Sequence, residues 1–127
     1  MGRFNMTLGA AHILVIDADP ALLSLLEEWL AAFGCEVVEE QAGDGPMQNG
    51  FDLIVVDVPF PRQGGLDVLR RVSNRHPGTP ILALSSNFFA SIQRSGAVAQ
   101  ALGVASVLPK PVTREALIAA VRHAVRP

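Results

Sequence analysis

Two short runs constrain this chain more than anything else in it: His12-Ile13-Leu14-Val15-Ile16-Asp17 and Asp52-Leu53-Ile54-Val55-Val56-Asp57. Each is apolar at consecutive positions, rich in β-branched residues and closed by a carboxylate. A strand shows alternate side chains to opposite faces of its sheet, so an apolar run without alternation needs cover on both faces. Runs of about four to eight such residues between turn signals read as buried parallel strands.

Three weaker runs extend the pattern. Cys35 to Glu40 alternates loosely around two valines and reads as a strand near a sheet edge. Pro80 opens a strand over Ile81 to Leu84 that closes on Ser85-Ser86, and Val104 to Leu108 forms a short strand ending at Pro109-Lys110-Pro111. Helical spacing fills the intervals. Asp19-Pro20 supplies an N-cap and a proline at the first helical position, and Leu22, Leu26, Trp29, Leu30 and Phe33 follow until Gly34 ends the helix. Leu66, Leu69 and Val72 begin a second periodic stretch that stops before His76-Pro77. Phe88 to Leu102 reads as a helix weakened by Gly96, and Thr113 caps a final helix carrying Leu117, Ala120, Val121, Ala124 and Val125 on one face. Gln41 to Gly50, with Gly43, Gly45, Pro46 and Gly50, holds at most one turn of helix. Residues 1–11 read as a lead-in to a single domain.

Strands alternating with helices imply an open parallel sheet covered on both faces. Composition agrees, since half of the 127 residues are hydrophobic and only 17% are charged, which excludes a disordered tail or a charged coiled coil. A net charge of -2 gives no electrostatic hold on a phosphate backbone, so direct nucleic-acid binding is not expected. Lone Cys35 suits a reducing compartment, the cytoplasm by default. No run of about 18 apolar residues suggests a membrane span.

Open parallel sheets place their sites at the carboxyl ends of the strands. Asp17, Asp57, Ser85 and Lys110 are the polar residues that end the first, third, fourth and fifth strands, so independent segments converge on one edge. Two carboxylates at neighbouring strand ends repel one another and together favour a divalent cation with oxygen ligands, as magnesium takes. Lys110 is the only lysine in the chain and sits between two prolines. A carboxylate beside a metal ion and an ammonium group suits a nucleophile for phosphoryl transfer, because both cations stabilise charge on the transferring oxygens. A hydroxyl at Ser85 would bind the product phosphate.

With those residues in place the chain resembles the response-regulator receiver domains of two-component signalling, from Ile13 to the final helix. Asp52-Leu-Ile-Val-Val-Asp57 followed by Pro61 and Gly65 is similar to the segment around that family's phosphoaccepting aspartate, and Leu108-Pro109-Lys110-Pro111 to its lysine-proline motif. The resemblance implies a flavodoxin-like, doubly wound five-stranded sheet in the order 2-1-3-4-5, with the second helix shortened or missing. It implies that Asp57 accepts a phosphoryl group from a sensor histidine kinase or phosphotransfer protein, and that Asp17, Asp57 and the carbonyl of Pro59 hold Mg2+. Ser85 and Lys110 would contact the phosphate, and the Lys110-Pro111 peptide would be cis. Residues 12–127 would form the receiver domain, with no output domain, so the signal would pass by docking on a separate downstream protein.

Two positions depart from the family pattern. Ala18 stands where a second acid, the direct metal ligand, is usual, and Val107 stands where a switch aromatic is usual. Both favour an alternative function on the same fold: a phosphorylation-independent docking module. Asp19 is placed to cap the first helix rather than to replace the missing acid. An enzyme on this fold is disfavoured because the turn Asp17-Ala18-Asp19-Pro20 has no glycine-rich phosphate cradle, and no P-loop or G-x-S-x-G elbow occurs. Arg70, Arg71 and Arg75 read as a solvated helix face, His12, His76 and His123 lack metal-ligand spacing, and Trp29 with Phe33 reads as core.

Overall fold

A computed structural model of the chain describes residues 11–17, 19–40, 50–57, 65–85 and 104–125. They form strands β1 (His12–Ile16), β2 (Glu36–Glu40), β3 (Leu53–Asp57), β4 (Ile81–Ser85) and β5 (Ser106–Pro109), with helices α1 (Pro20–Ala31), α2 (Gly65–Arg75) and α3 (Arg114–Ala124). The strands make one sheet in the order β2-β1-β3-β4-β5, all neighbours parallel. This is the flavodoxin-like order expected above. The expected helix over Phe88 to Leu102 lies outside the described residues, as does the stretch 41–49, where the sequence predicts at most one turn of helix.

Both faces of the sheet are buried, for the reason the uninterrupted apolar runs anticipate. Odd-numbered Ile13, Val15, Leu53 and Val55 pack with Leu82 and Leu84 under α1 and α3, which contribute Leu23, Leu26, Leu30, Leu117 and Val121. Even-numbered Leu14, Ile16, Ile54 and Val56 pack on the other face with Leu69 and Val72 of α2. Leu26, Leu30 and Leu117 are fully buried, each contributing about 1.5–3 kcal/mol of transfer free energy.

Local chemistry sets the ends of the elements. Asp19 caps α1, its Oδ1 accepting the Ala21 N–H at 3.0 Å with Pro20 beside it, and Gly34 turns the chain out at φ +92°. Thr113 caps α3 by accepting the Ala116 N–H at 3.1 Å. Gly65 is the first residue of α2. β5 begins at Ser106, two residues later than the apolar run suggests: Val104 is buried for packing, while the Ala105 N–H donates to the Ile81 carbonyl at 2.8 Å outside the ladder. β2 pairs only with β1 among the described residues, and its Glu36, Glu39 and Glu40 discourage pairing with another chain.

Candidate functional site at the carboxyl edge of the sheet

Register places the two acids side by side. Ile16 pairs with Val56 across β1 and β3, so Asp17 and Asp57 are the next residues along both strands and continue the odd-numbered side of Val15 and Val55. On the far side, Ser85 pairs with Pro109, and the Lys110 N–H donates to the Ser85 carbonyl at 2.9 Å. That bond holds the start of the loop after β5 against the end of β4. The Lys110-Pro111 peptide is cis.

From this position Lys110 reaches back across the sheet. Its Nζ donates to Asp57 Oδ1 at 2.8 Å, joining residues 53 apart in sequence, and lies 3.5 Å from Asp17 Oδ2. The three groups differ in access: the Asp17 side chain is 1% exposed, against 26% for Asp57 and 21% for Lys110. Asp57 is therefore the carboxylate a reactant can approach, and Asp17 lies beneath the surface. Asp17 is held by the chain itself, Oδ1 accepting the Asp19 N–H at 2.8 Å while Oδ2 has no hydrogen-bond partner. Ser85 is fully buried at the end of β4, one residue past Leu84, the register partner of Asp57.

The electrostatics follow from burial. Loss of solvent pushes the Asp17 carboxyl above the ordinary carboxylate range; the Asp19 N–H opposes this, the Asp57 charge adds to it, and Lys110 offsets part. Burial works against the charge of Lys110 too, but its hydrogen bond to Asp57 and the charges of both carboxylates outweigh that, holding the ammonium above the usual lysine value. Lys110 is a cation throughout the physiological range.

A hard cation is compatible with these residues. Asp17 Oδ2 is a buried anionic oxygen lacking a hydrogen bond, and Asp57 presents a second carboxylate from the next strand, both of them donors that Mg2+ accepts. No group of three or more His, Cys, Asp or Glu side chains gathers among the described residues, so other ligands would come from water or backbone carbonyls. Pro59, whose carbonyl the resemblance nominates, and Ala18 lie outside the described residues. Asp19 is committed to the α1 cap. Val107 is 5% exposed and packed in the core beside Ala83, its register partner. Sequence reasoning missed the Asp19 N–H as the group that orients Asp17; a side-chain acceptor two residues before an N-cap is the signal that could have revealed it.

The family model for the response regulator receiver domain matches residues 13–122. The chain belongs to the response-regulator receiver family. This receiver is 32% identical over 119 residues to the transcriptional regulatory protein GlrR of Escherichia coli K12, covering 91% of this chain and 26% of that protein. It is 33% identical over 107 residues to the regulator of RpoS of the same organism, covering 80% and 30% respectively. The receiver thus spans under a third of the length of these relatives. A crystal structure of a response regulator receiver domain protein from Clostridium thermocellum superposes with a TM-score of 0.72 at 26% identity, covering 91% of this chain and 94% of that one. Receiver domains are signalling domains that generally bind magnesium in an acidic pocket. No helix among the described residues is long and apolar enough to cross a membrane.

Proposed function

We propose that this receiver accepts a phosphoryl group on Asp57 from a phosphohistidine of a sensor histidine kinase or phosphotransfer protein, in the cytoplasm, and signals by a change in what its surface docks on. The observation that carries this reading is the 2.8 Å contact between Lys110 Nζ and Asp57 Oδ1 at the carboxyl edge. An oxygen of Asp57 attacks phosphorus as the phosphorus–nitrogen bond of the donor breaks; the imidazole leaves with the bonding pair and is protonated. Lys110 stays close to the aspartyl oxygen and compensates charge on the transferring phosphoryl oxygens. Ser85, at the end of the adjacent strand, supplies a hydroxyl to the bound phosphoryl group. Asp17, Asp57 and the Pro59 carbonyl are the residues that would hold Mg2+, which when bound supplies further charge neutralisation at the same oxygens.

Because β5 and α3 follow one another through Lys110, a change in the Lys110 contact is transmitted to the outer surface of these elements. Incubation with a small phosphodonor and Mg2+, followed by intact mass measurement, tests the reading. Label on the wild type that is lost in Asp57→Asn is the expected result. A specific observation favours the second reading, a docking module that works without phosphorylation: Asp19 is engaged as a cap, which leaves two carboxylates where the family usually has three. Absence of label with every donor would establish that alternative.

A further inference from the structure

The outer edge of β2 carries features that the carboxyl-edge site does not use. Residues 4–61 hold ten of the chain's twelve acids and no lysine or arginine, so the stretch that makes β1, α1, β2 and β3 has no basic side chain beyond histidine. Among the described residues Glu39 and Glu40 form no ion pair, and Glu36 meets only His12, at 3.1 Å, with its own side chain 67% exposed. The backbone is as open as the charges. Glu36 donates its N–H to the Ala11 carbonyl at 2.8 Å and the Glu40 carbonyl accepts the Asp17 N–H at 3.1 Å, so the even-numbered residues of β2 bond toward β1. Odd-numbered Val37 and Glu39 therefore turn N–H and C=O to the other side, where no strand pairs with β2 among the described residues. Val38 adds an apolar element: its register partner Leu14 is fully buried, yet Val38 is 37% exposed. On the other face of β2 a cavity of about 300 Å³ lies against the first turns of α1, lined by Pro20, Leu23, Ser24, Glu39 and Glu40.

We propose that the outer edge of β2 is a docking site for an extended basic segment of another protein, which adds to the sheet as a further strand. The outward N–H and C=O groups of Val37 and Glu39 supply main-chain hydrogen bonds, which give strand addition its affinity. Charge selects the occupant. Alternate side chains of an added strand lie beside Glu36, Val38 and Glu40 on one face of the sheet, so a basic, apolar, basic alternation sets lysine or arginine against each acid and a hydrophobic side chain against Val38. On the opposite face a basic side chain beside Glu39 lays its aliphatic stem in the cavity and its charge at the carboxylates. The same carboxylates exclude a second copy of this strand, which would set acid against acid. They repel acidic and self-like edges and attract basic ones. The site is separate from the phosphoacceptor reading, since it uses none of Asp17, Asp57, Ser85 or Lys110.

The test adds a short capped peptide of alternating lysine and valine to the 15N-labelled chain, with a glutamate–valine peptide of equal length as control. The lysine peptide is expected to shift the Val37 and Glu39 amide signals most and to slow their hydrogen exchange by at least about tenfold, with an affinity that weakens as salt rises. The control peptide is expected not to bind. Glu39→Lys, a substitution at an exposed position, should weaken binding of the lysine peptide by at least about tenfold, because it places like charges side by side. Absence of binding by the lysine peptide would overturn the proposal. Binding that leaves exchange at Val37 and Glu39 unchanged would overturn it too, since attraction to an acidic surface forms no strand. Equal binding by the glutamate peptide, or shifts centred on Asp57 and Lys110 instead of β2, would do the same. Should Glu39→Lys fail to fold, exchange in the wild type decides by itself. Labelling of Asp57 by a phosphodonor is read separately, so the two readings stand or fall independently.

Discussion

The third strand lies between two aspartates, and they have little in common. Asp52, just ahead of β3, is exposed, and its Oδ2 accepts the backbone N–H of His12 at 2.9 Å. Nearby, His12 pairs with Glu36 at 3.1 Å with both side chains more than half exposed, while the buried His76 meets the Phe51 ring edge-on at 5.7 Å between centroids. Asp57, at the far end of the strand, faces the ammonium of a residue 53 positions away and a second, buried carboxylate. One acid accepts a neutral backbone N–H at an exposed strand start, while the other is held by charge at a place where charge is costly to bury. Opposed charges, partial burial and a carboxylate oxygen left without a hydrogen bond occur together at the carboxyl edge, where strands end and helices begin.

The contrast between the two ends can be broken most sharply at the two aspartates themselves. Asp57→Asn is expected to abolish labelling by a small phosphodonor in the presence of Mg2+, whereas Asp52→Asn keeps the wild-type label, both read by intact mass. Equal loss in the two variants would erase the distinction.

Cys35, which precedes β2 at the amino end, checks what burial does without a charged partner. Burial alone raises its thiol from 9.0 to about 11, so its thiolate is about 100-fold scarcer than that of an ordinary cysteine at the same pH. Modification of the native chain by a thiol reagent at mildly alkaline pH should be slower than that of the denatured chain by at least about 100-fold. Near-equal rates would mean that the amino end opens readily.

Asp17→Asn probes the cost of charge at the carboxyl edge. Folding raises the pKa of Asp17, chiefly by burial, so the stability linked to its protonated form is fully present below the ordinary carboxylate range and is lost as pH rises through the folded value. Asparagine keeps the acceptor for the Asp19 N–H without the charge. The variant is therefore expected to be more stable than the wild type by about 1 kcal/mol near neutral pH, with the gap closing in acid, as thermal melts across pH will show. A less stable variant at neutral pH would mean that the attraction of Lys110 outweighs desolvation.

At the amino end the smallest effects are expected. Asp52→Ala and His12→Ala each remove an exposed contact and should cost no more than about 0.5–1 kcal/mol in denaturant melts, with labelling at Asp57 unchanged.

Much of this architecture was legible before any coordinates. The runs at Ile13 to Ile16 and Leu53 to Val56 demand cover on both faces, and each is fully or almost fully buried. Asp19-Pro20 and Thr113 mark helix starts because capping is settled within a few residues of chain. The start of β5 was less legible, since Val104 and Val107 are both buried and hydrophobicity does not separate packing from ladder pairing. Asp17 and Asp57 look alike in sequence, each closing an apolar strand, and nothing local tells the buried one from the accessible one.

Sequence by itself determined the order of strands and helices, the two-sided core, and the delivery of Asp17, Asp57, Ser85 and Lys110 to a single edge, because periodicity and capping act over a few residues. Only the tertiary structure decided that Lys110 lies on Asp57 rather than in solvent, that Asp17 is sealed beneath it, and that one oxygen of Asp17 is left without a hydrogen bond. Those outcomes depend on burial and on distances between segments far apart in the chain, which are set when the sheet closes against α1 and α3.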